Sequence, residues 1–284
     1  MQYDLAAKAV LEHGKEAIIR CFLGLPLEEA ELIEELPQET VSLRRSDFPM
    51  RIRLKSGEER ILILEFQTRW ESDIPLRLLD YTVRFKLKYH LPVWSAVLVF
   101  RKGGGISEVY ENDVIRFSYK VVKLWEIKAR EILREGEIWV YPFIPVMDCS
   151  EKEIFEAERR IYESELSGGE KADLLSALAI FAGLKDEDIA TKLLKRRRDI
   201  MIESPTYRLI KEEGIREGML EEAKEMVLEA LSTRFGVLPL DLAQKVKSIQ
   251  LREVLRQLLR VAVTVESLDE FEEQLKKAIG ERRG

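Results

Sequence analysis

The chain has 284 residues, of which 46% are hydrophobic and 35% charged, and its formal net charge is −6 at pH 7. This composition predicts a soluble globular protein, and the negative charge argues against non-specific coating of nucleic acid while remaining compatible with a local basic groove. With only two cysteines and two histidines, the chain gives poor support for zinc sites and for Ser-His or Cys-His catalysis, so a bound metal would need oxygen ligands, as magnesium, manganese and calcium do.

No apolar run approaches the roughly 18 residues of a membrane helix. The N-terminus also lacks the basic-then-apolar layout of a signal peptide. We therefore expect a cytoplasmic protein with no membrane partner.

The first part of the chain predicts two helices followed by a β-hairpin. Apolar residues recur at helical spacing over residues 5–23, with an interruption near Gly14, and a short acidic helix is predicted over about 27–36. Residues 41–54 alternate apolar and polar side chains, as half-buried strands do, and the turn at 55–59 leads back into a second strand.

This second strand, residues 61–67, ends in two polar side chains. Alternation places Glu65 and Gln67 on the same face as Ile61 and Ile63, and the intervening apolar residues on the other face. If Leu54 pairs with Arg60 across the turn, Asp47 lies opposite Gln67, and directly opposed residues share a face. Asp47, Glu65 and Gln67 are therefore expected to converge.

The next segments predict a parallel unit. A helix is expected from Pro75 to about Tyr89, with Ser72 or Asp73 as its cap, and an interior strand over 93–100 follows. A strand, a crossover helix and another strand are parallel in one sheet, so the sheet should be mixed.

Beyond this unit, the pattern predicts a strand within 114–121, a short helix over 126–134 and, because two prolines interrupt it, an extended piece or sheet edge over 139–147. From Ser150 onward every periodic segment is helical. We therefore expect a first domain at 1–147 and a helical region at 148–284, an oligomerisation or accessory domain.

Two charged segments of the helical region bear on partners. Residues 212–231 are charged on most faces with a narrow apolar seam, which is typical of a solvent-bridging helix or of one half of an intermolecular pair. We expect a homo-oligomer, a dimer, formed through the C-terminal helices. The basic run 195–198 predicts a solvated helix face, with nucleic-acid contact as the alternative.

Two carboxylates on neighbouring strands, with a polar group two residues further on, are what a magnesium-dependent phosphodiesterase requires. Asp47 and Glu65 are candidate ligands for Mg²⁺ or Mn²⁺, and a strand carbonyl such as that of Phe66 could add an oxygen. Gln67 can orient a water molecule but cannot act as a base. Arg45 belongs to a strip of arginines, 44, 45, 51 and 53, that could contact phosphates.

Five short segments occur in a fixed order over residues 44–100. They are Arg44-Arg-Ser-Asp47, Leu64-Glu-Phe-Gln67, Pro75-Leu-Arg77 with Tyr81, Leu91-Pro-Val93, and the hydrophobic strand that follows. Together they resemble the Rpn-type branch of the PD-(D/E)xK nuclease superfamily, whose members are described as recombination-promoting nucleases or transposase-like proteins. The resemblance covers about residues 1–147, and the region around Arg234-Phe-Gly236 is similar to the tails common in that family.

The resemblance implies an α/β fold: a restriction-endonuclease-like core with a mixed central sheet flanked by helices, plus an all-helical C-terminal region. It implies Asp47 and Glu65 as metal ligands and Gln67 as the residue that orients the attacking water. Arg77 and Tyr81 lie one helical turn apart, so both can face the site, and Arg77 could bind a phosphate or the carboxylates. An acid on the first helix often completes such sites; the candidates are Asp4, Glu12 and Glu16.

Two departures from the family pattern affect the functional expectation. Ser46 stands where a proline usually precedes the first aspartate, and Gln67 stands where lysine is usual. We expect a magnesium-dependent DNA endonuclease, with RNA as a lesser alternative substrate. The rival expectation is a catalytically weakened relative that serves as an interaction or assembly module.

Overall fold

The computed structural model describes residues 2–33 and 47–280. The chain divides into two compact units, Met1–Arg208 and Leu209–Gly284. The strands are Leu27–Leu32 (β1), Asp47–Leu54 (β2), Glu59–Gln67 (β3), Val93–Val99 (β4), Val109–Glu111 (β5), Arg116–Ser118 (β6) and Lys120–Lys123 (β7). The helices are Gln2–Leu23 (α1), Ile74–Tyr89 (α2), Ala129–Glu135 (α3), Glu151–Glu163 (α4), Gly168–Lys185 (α5), Glu187–Met201 (α6), Pro205–Phe235 (α7), Leu240–Lys247 (α8), Arg252–Thr264 (α9) and Leu268–Gly280 (α10), with 3₁₀ segments at Leu124–Glu126 and Ile138–Val146.

The first unit is built on a mixed five-stranded sheet in the order β1-β2-β3-β4-β7. The pairs β1–β2 and β2–β3 are antiparallel, whereas β3–β4 and β4–β7 are parallel. Helix α2 makes the crossover between β3 and β4. The predicted α/β class and mixed sheet are therefore confirmed.

Alternation along β3 divides its side chains between two apolar cores. Leu62, Leu64 and Phe66 pack in the core that also contains the buried residues of α1. Ile61 and Ile63 pack with the buried residues of α2 on the opposite face. The faces of this strand are those that its period-2 pattern predicts.

Helix α1 is interrupted at Gly14, as its sequence pattern predicts. The backbone there is non-helical, with φ −113° and ψ 16°. A Cβ atom at position 14 would lie 2.6 Å from the Cβ of Trp139. Gly14 therefore permits close packing of α1 against the 3₁₀ segment that carries Trp139.

The first half of the helix predicted over 27–36 is wrong, because Leu27–Leu32 is strand β1. Residues 34–36 of that predicted helix lie outside the described residues, which resume at residue 47. The acidic residues of this segment suggest a helix locally, but they pair with basic residues across the sheet. Glu31 lies opposite Arg51 and Glu29 opposite Arg53, with Arg53 Nη1 3.5 Å from Glu29 Oε2. Cross-strand partners of opposite charge stabilise the strand and override the helix propensity.

The extended piece predicted over 139–147 is also wrong. Residues Ile138–Val146 form a buried 3₁₀ segment that contains Pro142 and Pro145. Proline fits this conformation because its fixed φ near −65° lies within the 3₁₀ range. The strand predicted within 114–121 exists as two short strands, β6 and β7, and the short helix near 126–134 as α3.

From Glu151 onward the elements of the described chain are all helices, as predicted. Helices α4, α5 and α6 contribute Ile154, Leu174, Phe181 and Leu193 to the same core as α1 and the sheet. The division between the compact units, at 208/209, consequently does not coincide with the boundary predicted at 147/148.

In the second unit, the part of α7 from Leu209 onward and helices α8, α9 and α10 surround a separate core. Its buried members include Val227, Leu231, Leu242, Leu255, Leu258, Phe271 and Leu275. Within the residues described, no helix has the length and apolar character needed to cross a membrane.

Candidate functional site

The β2–β3 register places Asp47 directly opposite Glu65. The prediction that Asp47 lies opposite Gln67 is wrong by two residues, because the hairpin loop is shorter than the sequence suggests. The N–H of Leu54 donates to the carbonyl of Glu58 at 2.9 Å, and Gly57 adopts a positive φ of 83° that allows this tighter turn. Because the shift is an even number of residues, the register still pairs Asp47 with the set of β3 positions that includes Glu65 and Gln67.

Glu65 is a completely buried acid on a central strand, and it faces α2. Its Oε1 accepts hydrogen bonds from Arg77 Nη2 and from Gln67 Nε2. A buried carboxylate is stable only with such partners, because it has lost its hydration. The strand therefore holds a charged group that the fold stabilises with α2.

Arg77 connects this acid to the start of α2. Its side chain is 13% exposed, and Nη1 lies 2.7 Å from Asp73 Oδ2 and 3.6 Å from Glu71 Oε2. Burial lowers the pKa of the Arg77 guanidinium, but the carboxylates of Glu65 and Asp73 outweigh it, so the net pKa is raised. Arg77 is thus a permanent positive charge between three carboxylates.

Asp73 occupies the N-cap position of α2, which the sequence predicts for Ser72 or Asp73, but its side chain makes no capping hydrogen bond. The carboxylate binds Arg77 instead, at i+4. Sequence reasoning missed this three-acid arrangement, and the Asp73–Arg77 spacing was the one local signal for it.

Tyr81 lies one helical turn after Arg77 and is buried among Ile61, Ile63 and Phe85 in the core beneath α2. Arg45, the other residue predicted to bind substrate, lies outside the described residues, as do Arg44 and Ser46. The backbone of Asp47 is described, but its side chain is not.

The remaining candidate residues have local partners. Arg51 lies over the ring of Tyr89 at 6.0 Å, and Arg53 is within 4 Å of Glu29 and Glu59.

Helix α1, which carries the candidate acids Asp4, Glu12 and Glu16, packs against the face of the sheet opposite to Glu65.

The basic run 195–198 is solvent-exposed at Lys195, Arg196 and Arg198, as predicted, but Arg197 is largely buried and structural. Arg197 Nε donates to the completely buried Glu158, and Arg197 lies over the ring of Tyr162 at 3.7 Å. Helix α6 departs from helical geometry at this residue, with φ −127° and ψ 22°. The partner could not be read from the sequence, because Glu158 lies on α4, 39 residues earlier.

The oxygen donors near Glu65 are of the type that hard divalent cations bind. Within the described residues, no group of three or more His, Cys, Asp or Glu side chains could hold a metal ion. The carboxylate of Glu65, with an aspartate directly opposite on the neighbouring strand, nevertheless supplies the type of oxygen donor that magnesium prefers. A cation bound there would either share the Glu65 carboxylate with Arg77 or displace the Arg77 guanidinium from it.

No model of a known protein family, no curated protein and no solved structure matches the chain.

Proposed function

We propose that the protein is a magnesium-dependent endonuclease that hydrolyses the phosphodiester bonds of DNA. The observation that carries the proposal is the β2–β3 register, which sets Asp47 opposite the buried Glu65 with Gln67 and Arg77 beside it. The mixed sheet with α1 on one face and α2 on the other agrees with the PD-(D/E)xK resemblance.

In this proposal Asp47 and Glu65 hold the ion. When bound, magnesium would supply Lewis-acid polarisation of the phosphate and a more acidic water. The amide of Gln67 would hydrogen-bond the attacking water and orient it. Because an amide cannot remove a proton, the proton of that water would pass to solvent. We propose that Arg77 exchanges a carboxylate partner for a phosphate oxygen of the substrate and stabilises developing negative charge there.

Nicking of supercoiled plasmid by the pure full-length protein tests this function. We expect cleavage with magnesium, none with EDTA, and a loss of about 100-fold or more in Asp47→Ala and Glu65→Gln. Asp80→Ala is the matched control, because Asp80 is an exposed acid of α2 whose partner is Arg84. Equal nicking by wild type and both site variants would contradict the assignment of Asp47 and Glu65 to the active site. Cleavage of single-stranded RNA alone would show that the substrate is RNA rather than DNA.

A second candidate, a catalytically weakened interaction module, is favoured by two features of the site. The carboxylate of Glu65 already has a cationic partner, Arg77, and Gln67 occupies the position where the resembling family has lysine. In this second candidate function the Glu65–Arg77 ion pair stabilises the fold, and the chain acts by self-association through its C-terminal helices. Stable oligomers without cleavage of any nucleic acid would support it.

A further inference from the structure

A groove with an exposed apolar side runs between α7 and α9 in the second unit. Met219 and Met226 of α7 and Leu259 of α9 line it, above the buried Leu255. Met219 is 42% exposed and Met226 48% exposed. These methionines lie two helical turns apart on one side of α7, so they form a continuous strip.

The strip extends beyond the groove at both helices. Ile215, one turn before Met219, is 49% exposed, and Val263, one turn after Leu259, is 55% exposed. Exposed large apolar side chains that are contiguous, rather than scattered, mark an interaction surface. Methionine is well suited to such a surface because its flexible side chain adapts to the partner.

The two edges of this surface carry opposite charges. Arg252 and Arg256 lie one turn apart on the α9 edge. On the α7 edge, Glu222 lines the groove, and helical geometry puts Glu225 and Glu229 further from α9 than the methionines. All five side chains are exposed, and within the described part of the chain none of them forms an ion pair.

We propose that this surface binds the same surface of a second copy of the chain, about a two-fold axis that runs along the groove. Such an axis puts the basic edge of each copy against the acidic edge of the other and superimposes the apolar strips. A two-fold axis across the groove would instead place acid on acid. The two α7 helices therefore run parallel, with Met219 and Met226 each beside its own counterpart.

A second copy fits both edges, whereas nucleic acid and peptides of a single charge sign fit only one. Nucleic acid would be attracted by the arginines and repelled by the three glutamates. A purely acidic or purely basic peptide would match one edge alone. This inference gives the proposed self-association a surface and an orientation, and it does not rest on nuclease activity.

Oligomeric state in solution gives the first test, with sedimentation velocity of the full-length chain over a concentration series. We expect a dimer for wild type and monomers for Met219→Asp/Met226→Asp. The double reversal Arg252→Glu/Arg256→Glu should weaken dimerisation by roughly 10-fold or more, and adding Glu222→Arg/Glu225→Arg should restore it. Lys247→Glu, a reversal on α8 away from the groove, is the matched control and should leave the dimer unchanged.

Cysteine cross-linking tests the orientation. In a background without the native Cys21 and Cys149, Met226→Cys alone should form a disulfide-linked dimer under mild oxidation. Linkage only in a mixture of Met219→Cys and Met226→Cys chains would show an antiparallel pair and overturn the proposed axis.

Two further results would overturn the proposal entirely. One is a wild-type protein that stays monomeric throughout the concentration series. The other is a charge reversal at Arg252 and Arg256 that reduces binding of a DNA duplex without changing the oligomeric state of the protein. Plasmid cleavage by a monomeric variant would leave the nuclease proposal standing, so the two proposals fail separately.

Discussion

Replacing Arg77 with methionine removes the cation that binds Glu65 but keeps an unbranched side chain of similar length. Removal of one partner from a buried ion pair costs about 3–5 kcal/mol, because the other charge stays buried. Glu65 is completely buried, whereas the Arg77 side chain is 13% exposed, and Gln67 still donates a hydrogen bond. We therefore expect a loss at the lower end of that range, about 3 kcal/mol of unfolding free energy. In a unit of this size it corresponds to a Tm lower by about 6–12 °C.

A double-mutant cycle separates the pair from general damage to α2. Glu65→Gln in the Arg77→Met background removes the unpaired charge, so the double variant should be more stable than Arg77→Met alone by about 2 kcal/mol. The matched control is Arg84→Met, which breaks an exposed i,i+4 pair with Asp80 on the same helix. It should cost less than about 0.5 kcal/mol.

Urea denaturation followed by circular dichroism measures the free energies of unfolding of the wild type, Arg77→Met, Glu65→Gln, the double variant and the Arg84→Met control. Equal losses in Arg77→Met and Arg84→Met, or additive effects of the Glu65 and Arg77 changes, would refute the reasoning. Millimolar magnesium adds a link to function: if Glu65 binds the ion, magnesium should raise the Tm of Arg77→Met, and it should not raise that of Arg77→Met/Glu65→Gln.

Three other outcomes follow from contacts in the first unit. Gly14→Ala should lower the free energy of unfolding by about 1–3 kcal/mol, because its Cβ would meet Trp139; an unchanged urea midpoint would contradict the close packing. Glu158→Gln should destabilise the protein by about 3 kcal/mol, because Arg197 keeps its charge without a carboxylate partner, and a thermal melt measures the loss. Burial, reinforced by a nearby glutamate, raises the pKa of Cys21 from 9.0 to about 11, so the native state holds its proton where the unfolded chain loses it. Stability should therefore fall as pH rises from about 9 to 11, and Cys21→Ala should remove that part of the fall.

The faces of β3 followed from the sequence because a strand alternates with a fixed period. That periodicity alone put Glu65 and Gln67 on one side. The register of the hairpin could not be obtained in the same way, since it depends on the backbone of Gly57, whose positive φ shortens the loop. The error still leaves Asp47 paired with Glu65, a member of the predicted set, because the shift was an even number of residues.

Tertiary partners account for what the sequence did not reveal. Segment 27–32 has helix-forming composition, yet β2 offers Arg51 and Arg53 as cross-strand partners and makes it a strand. Arg77 is four residues from Asp73, which a helical pattern shows, but its buried partner Glu65 comes from a different element. The roles predicted for Asp47 and Arg45 remain predictions, because their side chains lie outside the described residues.

The packing of α5 against α1 has a consequence for how the chain acquires its structure during synthesis. The sheet face that carries Phe66 is covered by α1, by the 3₁₀ segment with Phe143 and by Phe181 of α5, whose ring lies 5.1 Å from that of Phe143. At about 5–20 residues per second, roughly 6–24 s separate the synthesis of β3 from that of α5. During this interval the strand pairs that bring Asp47 and Glu65 together can form, but one of their apolar faces is incompletely covered. A nascent chain of this protein should thus depend on chaperones until α5 has emerged from the ribosome.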